Sequence, residues 1–221
     1  MKNETFEKNY DTFRSFLVKD AEYDGHIELP KLKTSKFIPE KLVSFSKAVS
    51  KSWLDFDSWV MFYEHDVKFE RLWNNPKQYI ERLKRFKGII SPDFSMYRNM
   101  PLVMQQWSAY KGRALAVWFQ NNGIEIIPNV RFNDERTYDF CFDGIEKFKT
   151  VAISTHGCIK KREDREYFKK GLAEMVKRLS PRKIIVYGSV PESIFKPYTD
   201  LGIVIIPFES EFSKSRRQVI A

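Results

Sequence analysis

Residues 122–130 read NGIEIIPNV, and two other stretches repeat the pattern: KGIISPDF at 87–94 and LGIVIIPFE at 201–209. Each runs from glycine through isoleucine and an apolar run to proline. A glycine after a helical stretch suits the left-handed residue that ends a helix. The isoleucine-rich run suits a buried strand, and proline, which has no N–H, stops the ladder where the strand leaves the sheet. The interval from Gly88 to Gly123 accommodates one strand, one helix and two loops, and that from Gly123 to Gly202 accommodates two such units.

Working outward, the missing units are visible. VAISTHG (151–157) and KIIVYGS (183–189) are apolar runs that end in small or polar residues. Between them Phe168, Leu172, Met175, Val176 and Leu179 recur at helical spacing, with Asp164 or Arg165 at the start and Pro181 just past the end. MPLVMQQWSAYKGRALAVWFQNNG (100–123) and NPKQYIERLKRFKG (75–88) predict two further helices. LVSFSKAV (42–49) and WVMFYEHD (59–66) predict two more strands. Strand and helix thus alternate from about residue 40 to 209, the pattern of a mostly parallel α/β sheet with right-handed crossovers. The expected organisation is an N-terminal arm or covering segment over 1–40, a single α/β domain over 41–210 and a polar, basic tail over 211–221.

Alternation along each strand separates two architectures, because successive side chains face opposite ways. One face of 124–131 carries Glu125, Ile127, Asn129 and Arg131, against Ile124, Ile126, Pro128 and Val130 on the other. Ala152, Ser154 and His156 share a face, as do Ser91 with Asp93 and Glu64 with Asp66. Strands of a doubly wound sheet are covered by helices on both sides and tend to be apolar on both faces. Strands with one face turning polar toward one end fit a barrel interior. A full eight-stranded barrel usually takes about 250 residues, and this chain has 221. A reduced or incomplete TIM-like barrel of six or seven strands is the expectation, with a doubly wound open sheet as the alternative.

Either architecture gathers ligands at the C-terminal ends of its parallel strands. Asp93, His156 and Glu209 are the candidate catalytic residues. Asp93 and Glu209 would form a carboxylate pair for acid–base work, and His156 would move a proton near neutral pH. The candidate ligand-binding residues are Glu64, Tyr97, Asn129, Arg131, Ser154, Tyr187 and Ser189. Arg131 has the fork that holds two oxygens of a phosphate or carboxylate. Phe94, Tyr97, Phe132 and Phe208 stand at strand exits, where a ring can stack on a base or sugar.

The net charge of +9 favours polyanions, and Lys160, Lys161 and Arg162, just after the histidine turn, are the candidate nucleic-acid contacts. Two cysteines, Cys141 and Cys158, and three scattered histidines give no metal-ligand spacing and no disulfide framework. There is no GxxxxGK[ST], no GxGxxG after a strand and no GxSxG, which removes P-loop, Rossmann dehydrogenase and serine hydrolase readings. No apolar stretch approaches the ~20 residues of a membrane span, and the first residues lack the apolar core of a signal peptide. The expected setting is the cytoplasm. Any cofactor and the oligomeric state are left open.

SPDFSMYRNMP (91–101), NNGIEIIPNVRF (121–132) and DERTYDFCFDGI (134–145), with VAISTHG and KGLAEMVKRLSPRKIIVYGS, resemble a known family. It is the domain-of-unknown-function family numbered four-four-one-seven, of bacteriophages, plasmids and integrated bacterial elements, and the likeness runs from about residue 35 to 210. The resemblance implies a mobile-element setting and carries no catalytic residue with it. Two readings of function stay open at this point. One is an enzyme acting on a phosphorylated, nucleotide or nucleic-acid ligand at the strand ends. The other is a non-catalytic protein that binds nucleic acid or a host protein, in takeover or anti-defence.

Overall fold

The structure, a computed structural model, describes residue 11 and residues 13–211. Two short strands, β1 (Tyr23–Asp24) and β2 (Leu29–Pro30), pair antiparallel. Four parallel strands follow, β3 (Leu42–Ser44), β4 (Trp59–Met61), β5 (Gly88–Ile90) and β6 (Ile126–Ile127), adjacent in that order. A second parallel set, β7 (Thr150–Ser154), β8 (Lys183–Tyr187) and β9 (Val204–Phe208), is again in chain order. A parallel bridge between Asn129 and Ala152 joins the two sets. The Val130 and Ala152 amides donate there to Ala152 O and Pro128 O, both at 2.8 Å. Spatial order therefore follows chain order throughout, without the reversal that defines a doubly wound sheet. Among the described residues no ladder joins β3 to β9.

Side chains leave these strands alternately into two environments. Val60, Ile89 and Ile126 point outward to pack under α4 (Leu102–Asn121) against Leu115 and Phe119. Val151, Ile153, Ile184 and Val186 do the same under α5 (Arg162–Leu179) and α6 (Glu192–Asp200), against Phe168, Leu172 and Ile194. The residues between them, Trp59, Met61, Ile90, Ile127, Ala152 and Ile185, form a third cluster on the inner face, joined by Leu42 of β3 and Ile206 of β9. Burying a large apolar side chain is worth about 1.5–3 kcal/mol, so both faces of the wall contribute. Residues near the N-terminus cover one side: Leu17 is fully buried in the α4 cluster, and Leu32 bridges to Ile145. Residues 1–10 and most of the expected tail, 212–221, lie outside the described residues. Among the described residues no helix is long and apolar enough to cross a membrane.

Several expectations need correction. Residues 42–49 are not one strand: β3 stops at Ser44 and α1 (Phe45–Ala48) begins, because the Glu64 carboxylate accepts from the Ser46 amide and hydroxyl in its first turn. Between β4 and β5 there are only short helical pieces, α2 (Glu70–Asn74), a 3-10 turn at Pro76–Gln78 and α3 (Ile80–Leu83). Arg82 leaves α3 to donate to the carbonyls of Ala48, Ser50 and Trp53, binding these pieces to the preceding turn. No helix spans the β6–β7 connection, where a 3-10 turn (Glu135–Thr137) and irregular chain bury Tyr138, Phe140 and Phe142 instead. Pro207 does not end β9 but sits within it, tolerated because among the described residues β9 pairs on one side only.

The repeated glycines also divide by cause. Gly123 and Gly202 are left-handed (φ 83° each), as the helix-end reading requires. Gly88 is not, and its constraint is steric: a Cβ there would meet the Trp59 ring at 2.5 Å. Gly88→Ala is accordingly expected to cost about 1–3 kcal/mol through overpacking, read as a lower urea midpoint at unchanged m-value.

Candidate functional site

The inner face is apolar at one end of the strands and polar at the other. Tyr63, two residues beyond β4, continues the inward row of Trp59 and Met61. Its hydroxyl donates to Asn129 Oδ1 at 3.0 Å, and Asn129 Nδ2 donates to Asp93 Oδ1 at 2.8 Å. Arg131 Nη1 donates to the other carboxylate oxygen at 3.3 Å. A guanidinium can only donate and a carboxylate can only accept, so the amide of Asn129 has a single workable orientation. The Asn129 amide N–H donates to Ser91 Oγ at 2.8 Å, securing the residue from the backbone side. Three strand exits are thus locked together by one buried chain of hydrogen bonds.

The β7–β8 side supplies the opposite bank. Ser154 Oγ donates to the Tyr187 carbonyl (3.2 Å) and accepts from the His156 amide (3.1 Å), which fixes the start of the histidine turn. The Tyr63 and Tyr187 rings stack across the interior with centroids 5.0 Å apart. Above them opens a cavity of about 910 Å³, whose wall includes Asp93, Arg131, His156, Cys158, Phe132 and Tyr167.

Burial sets the electrostatics. It pushes the Tyr63 phenol well above its ordinary value, and Asp93 adds to the effect, so Tyr63 is a fixed neutral donor. Burial works against the charge of Arg131, but the attraction of Asp93 outweighs it and the guanidinium pKa is raised. Loss of water around His156, with Lys160 and His65 nearby, holds its imidazole below the ordinary 6.5. At neutral pH His156 is therefore a proton acceptor. Burial raises the Cys158 thiol, which stays protonated.

Of the residues expected from the sequence, Asp93, Arg131, Ser154, His156, Tyr187 and Tyr97 meet on this cavity wall, and Asn129 stands directly behind Asp93. Glu64 also reaches the wall, but its carboxylate is engaged by Ser46. Asp66 is occupied similarly by the Ser95 amide and hydroxyl. The expected Asp93–Glu209 pair is replaced by Asp93–Arg131: Glu209 is half-buried and outside the cavity wall, and both Asp93 oxygens are taken. Ser189 is exposed away from the wall, where its carbonyl accepts from Thr155. Lys160 and Lys161 are exposed on the loop that leads into α5 and Arg162 is exposed at its first position, all outside the wall. Phe94 is core beneath α4, and Phe208 packs on the inner cluster. Tyr63 was missed in favour of its neighbour Glu64, although the alternation Trp59, Met61, Tyr63 points to it.

Residues 21–209 match the family described as Domain of unknown function (DUF4417). The chain belongs to this family. The match starts earlier than the resemblance read from the motifs and takes in the β1–β2 hairpin. Among its relatives is the Gene 1 protein of Mycobacterium phage L5, 34% identical over 164 residues that cover 74% of this chain and 72% of that protein. The Gene 1 protein of Mycobacterium phage D29 is 32% identical over 162 residues, 73% of this chain and 60% of the phage protein. The matched part is thus less than two thirds of the D29 protein's length. No solved structure matches significantly. For this DUF4417 member the site stands on its own geometry.

Two measurements check that geometry. Tyr63→Phe leaves Asn129 Oδ1 buried without its donor and is expected to cost about 1–3 kcal/mol by chemical denaturation. In an NMR pH titration His156 is expected to titrate below 6.5. Because its pKa is depressed in the folded chain, the unfolded chain takes up the proton first as pH falls through 6.5. This group therefore subtracts stability on the acid side and has no effect above it.

Proposed function

We propose that the parallel strands form a reduced TIM-like barrel in a single α/β domain over 41–210, and that the cavity at their C-terminal ends is the active centre of an enzyme acting on a phosphorylated or nucleotide ligand. The barrel reading rests on chain-order pairing and on an inner cluster drawn from β3 through β9. The functional reading rests on one observation. Among the described residues the Arg131 side chain makes a single hydrogen bond, through Nη1 to Asp93, and this leaves Nε and Nη2 for a ligand in the same cavity as His156.

In this reading Arg131 holds the anionic group, Asp93 positions Arg131, and neutral His156 accepts a proton beside the held anion. Proton transfer at that point is what phosphoester or glycosidic cleavage requires. The volume lies within the ~300–1,000 Å³ typical of small-molecule sites. The phage relatives support a place of action inside the bacterial host cell.

The test is thermal stabilisation by a panel of phosphorylated compounds and their unphosphorylated parents. A ligand present at about a hundred times its Kd adds about 2.7 kcal/mol. Stabilisation by phosphorylated members is expected in the native chain and not in Arg131→Met. If the panel does nothing, or stabilises Arg131→Met equally, the reading falls.

The exposed run Lys160, Lys161, Arg162 favours a second reading, non-catalytic binding of nucleic acid. It requires affinity that falls steeply with salt. Replacing all three residues with alanine would then flatten the log–log salt slope by about 2–3 units, while Asp93→Ala and His156→Ala would leave affinity unchanged.

A further inference from the structure

The cavity wall carries three cations and four carboxylates, all of them in ion pairs. Arg131 pairs with Asp93 (3.3 Å), Arg98 with Asp164 (2.6 Å) and with Glu163 off the wall (2.8 Å), and Lys68 with Glu64 (3.7 Å). Glu211, the remaining wall carboxylate, pairs with Lys47 on α1 at 2.9 Å. The chain as a whole carries +9, but the cavity wall holds one more carboxylate than cation, and Lys47, which answers it, lies off the wall. A ligand with several negative charges would have to split these pairs or lie against their carboxylates, and like-charge contact in such a site costs several kcal/mol.

A single anionic group meets a different environment. Arg131 presents two further nitrogens in the fork geometry that suits two oxygens. The Gly157 amide has no acceptor among the described residues, and the space in front of that glycine is open, with no atom within 4 Å of a would-be Cβ. Gly157 lies on the cavity wall and is left-handed (φ 78°), at the turn that carries His156. Beyond these donors the wall is aromatic, with Tyr97, Phe132 and Tyr167.

Resting on the cavity reading above, we infer that the ligand is a small planar ring compound bearing one terminal phosphomonoester, of the nucleoside monophosphate class. Its phosphate sits between Arg131 and the Gly157 amide, and its ring lies against the aromatic wall. Within the cavity, polyphosphates and nucleic-acid strands are disfavoured by its four carboxylates.

The test is calorimetric titration of the full chain with adenosine, AMP and ATP, with the cytidine series and with a single-stranded oligonucleotide. Monophosphates of one series are expected to bind at least about tenfold more tightly than the triphosphate, the oligonucleotide or the free nucleoside. Arg131→Met, with folding checked by its melting curve, should bring monophosphate down to the level of nucleoside. Arg131→Lys should recover part of the difference, since it keeps the charge and loses the fork. Triphosphate or oligonucleotide binding as tightly as monophosphate would overturn this inference while leaving the cavity reading intact. Nucleoside binding equal to monophosphate would overturn both, as would no binding by any member of either series.

Discussion

A side chain on a strand faces one side of the sheet or the other, and each strand here uses both sides. Outward residues such as Val60, Ile126 and Ile184 are covered by helices, and inward residues such as Met61, Ile127 and Ile185 meet one another. Parallel strands carry the chain in one direction, so the last inward residue of every strand arrives at the same end. At that end the apolar row gives way to Tyr63, Asn129, Arg131, Ser154 and Tyr187. The floor of the cavity therefore follows from the strand period and the common direction of the strands, and the loops after β5, β6 and β7 with the start of α5 complete its wall.

The ion pair at its base shows how burial and function are linked. Two charges withdrawn from water are tolerated because each satisfies the other and because Asn129 occupies the second carboxylate oxygen. Removing either partner would leave an uncompensated charge in a poorly solvated place. The pairing also restricts Arg131 to one approach, with one side of its guanidinium committed and the other presented. Tyr63, held neutral by burial, completes the chain as a donor to Asn129.

Much of this was legible in the residues. Glycine–isoleucine–proline runs marked β5, β6 and β9 because apolar content and turn chemistry are local properties. The grouping of Ile127, Asn129 and Arg131 on one face followed from the period of two. What depended on distant neighbours was not legible. Glu64 and Asp66 look like free carboxylates in the chain, but folding brings Ser46 to one and Ser95 to the other. Glu209 follows its strand as Asp93 does, yet only Asp93 reaches the cavity wall, where Arg131 meets it. The α1 turn was hidden for the same reason, since its first amide is satisfied by a side chain eighteen positions away.

The wall is not uniformly strong. β7 and β8 are in register over five consecutive positions, whereas β6 and β7 touch through one isolated bridge between Asn129 and Ala152. Arg131 and His156 follow the strands on opposite sides of this bridge. The backbone bonds at Asn129, Val130 and Ala152 are therefore what set the spacing of these two side chains across the cavity they share.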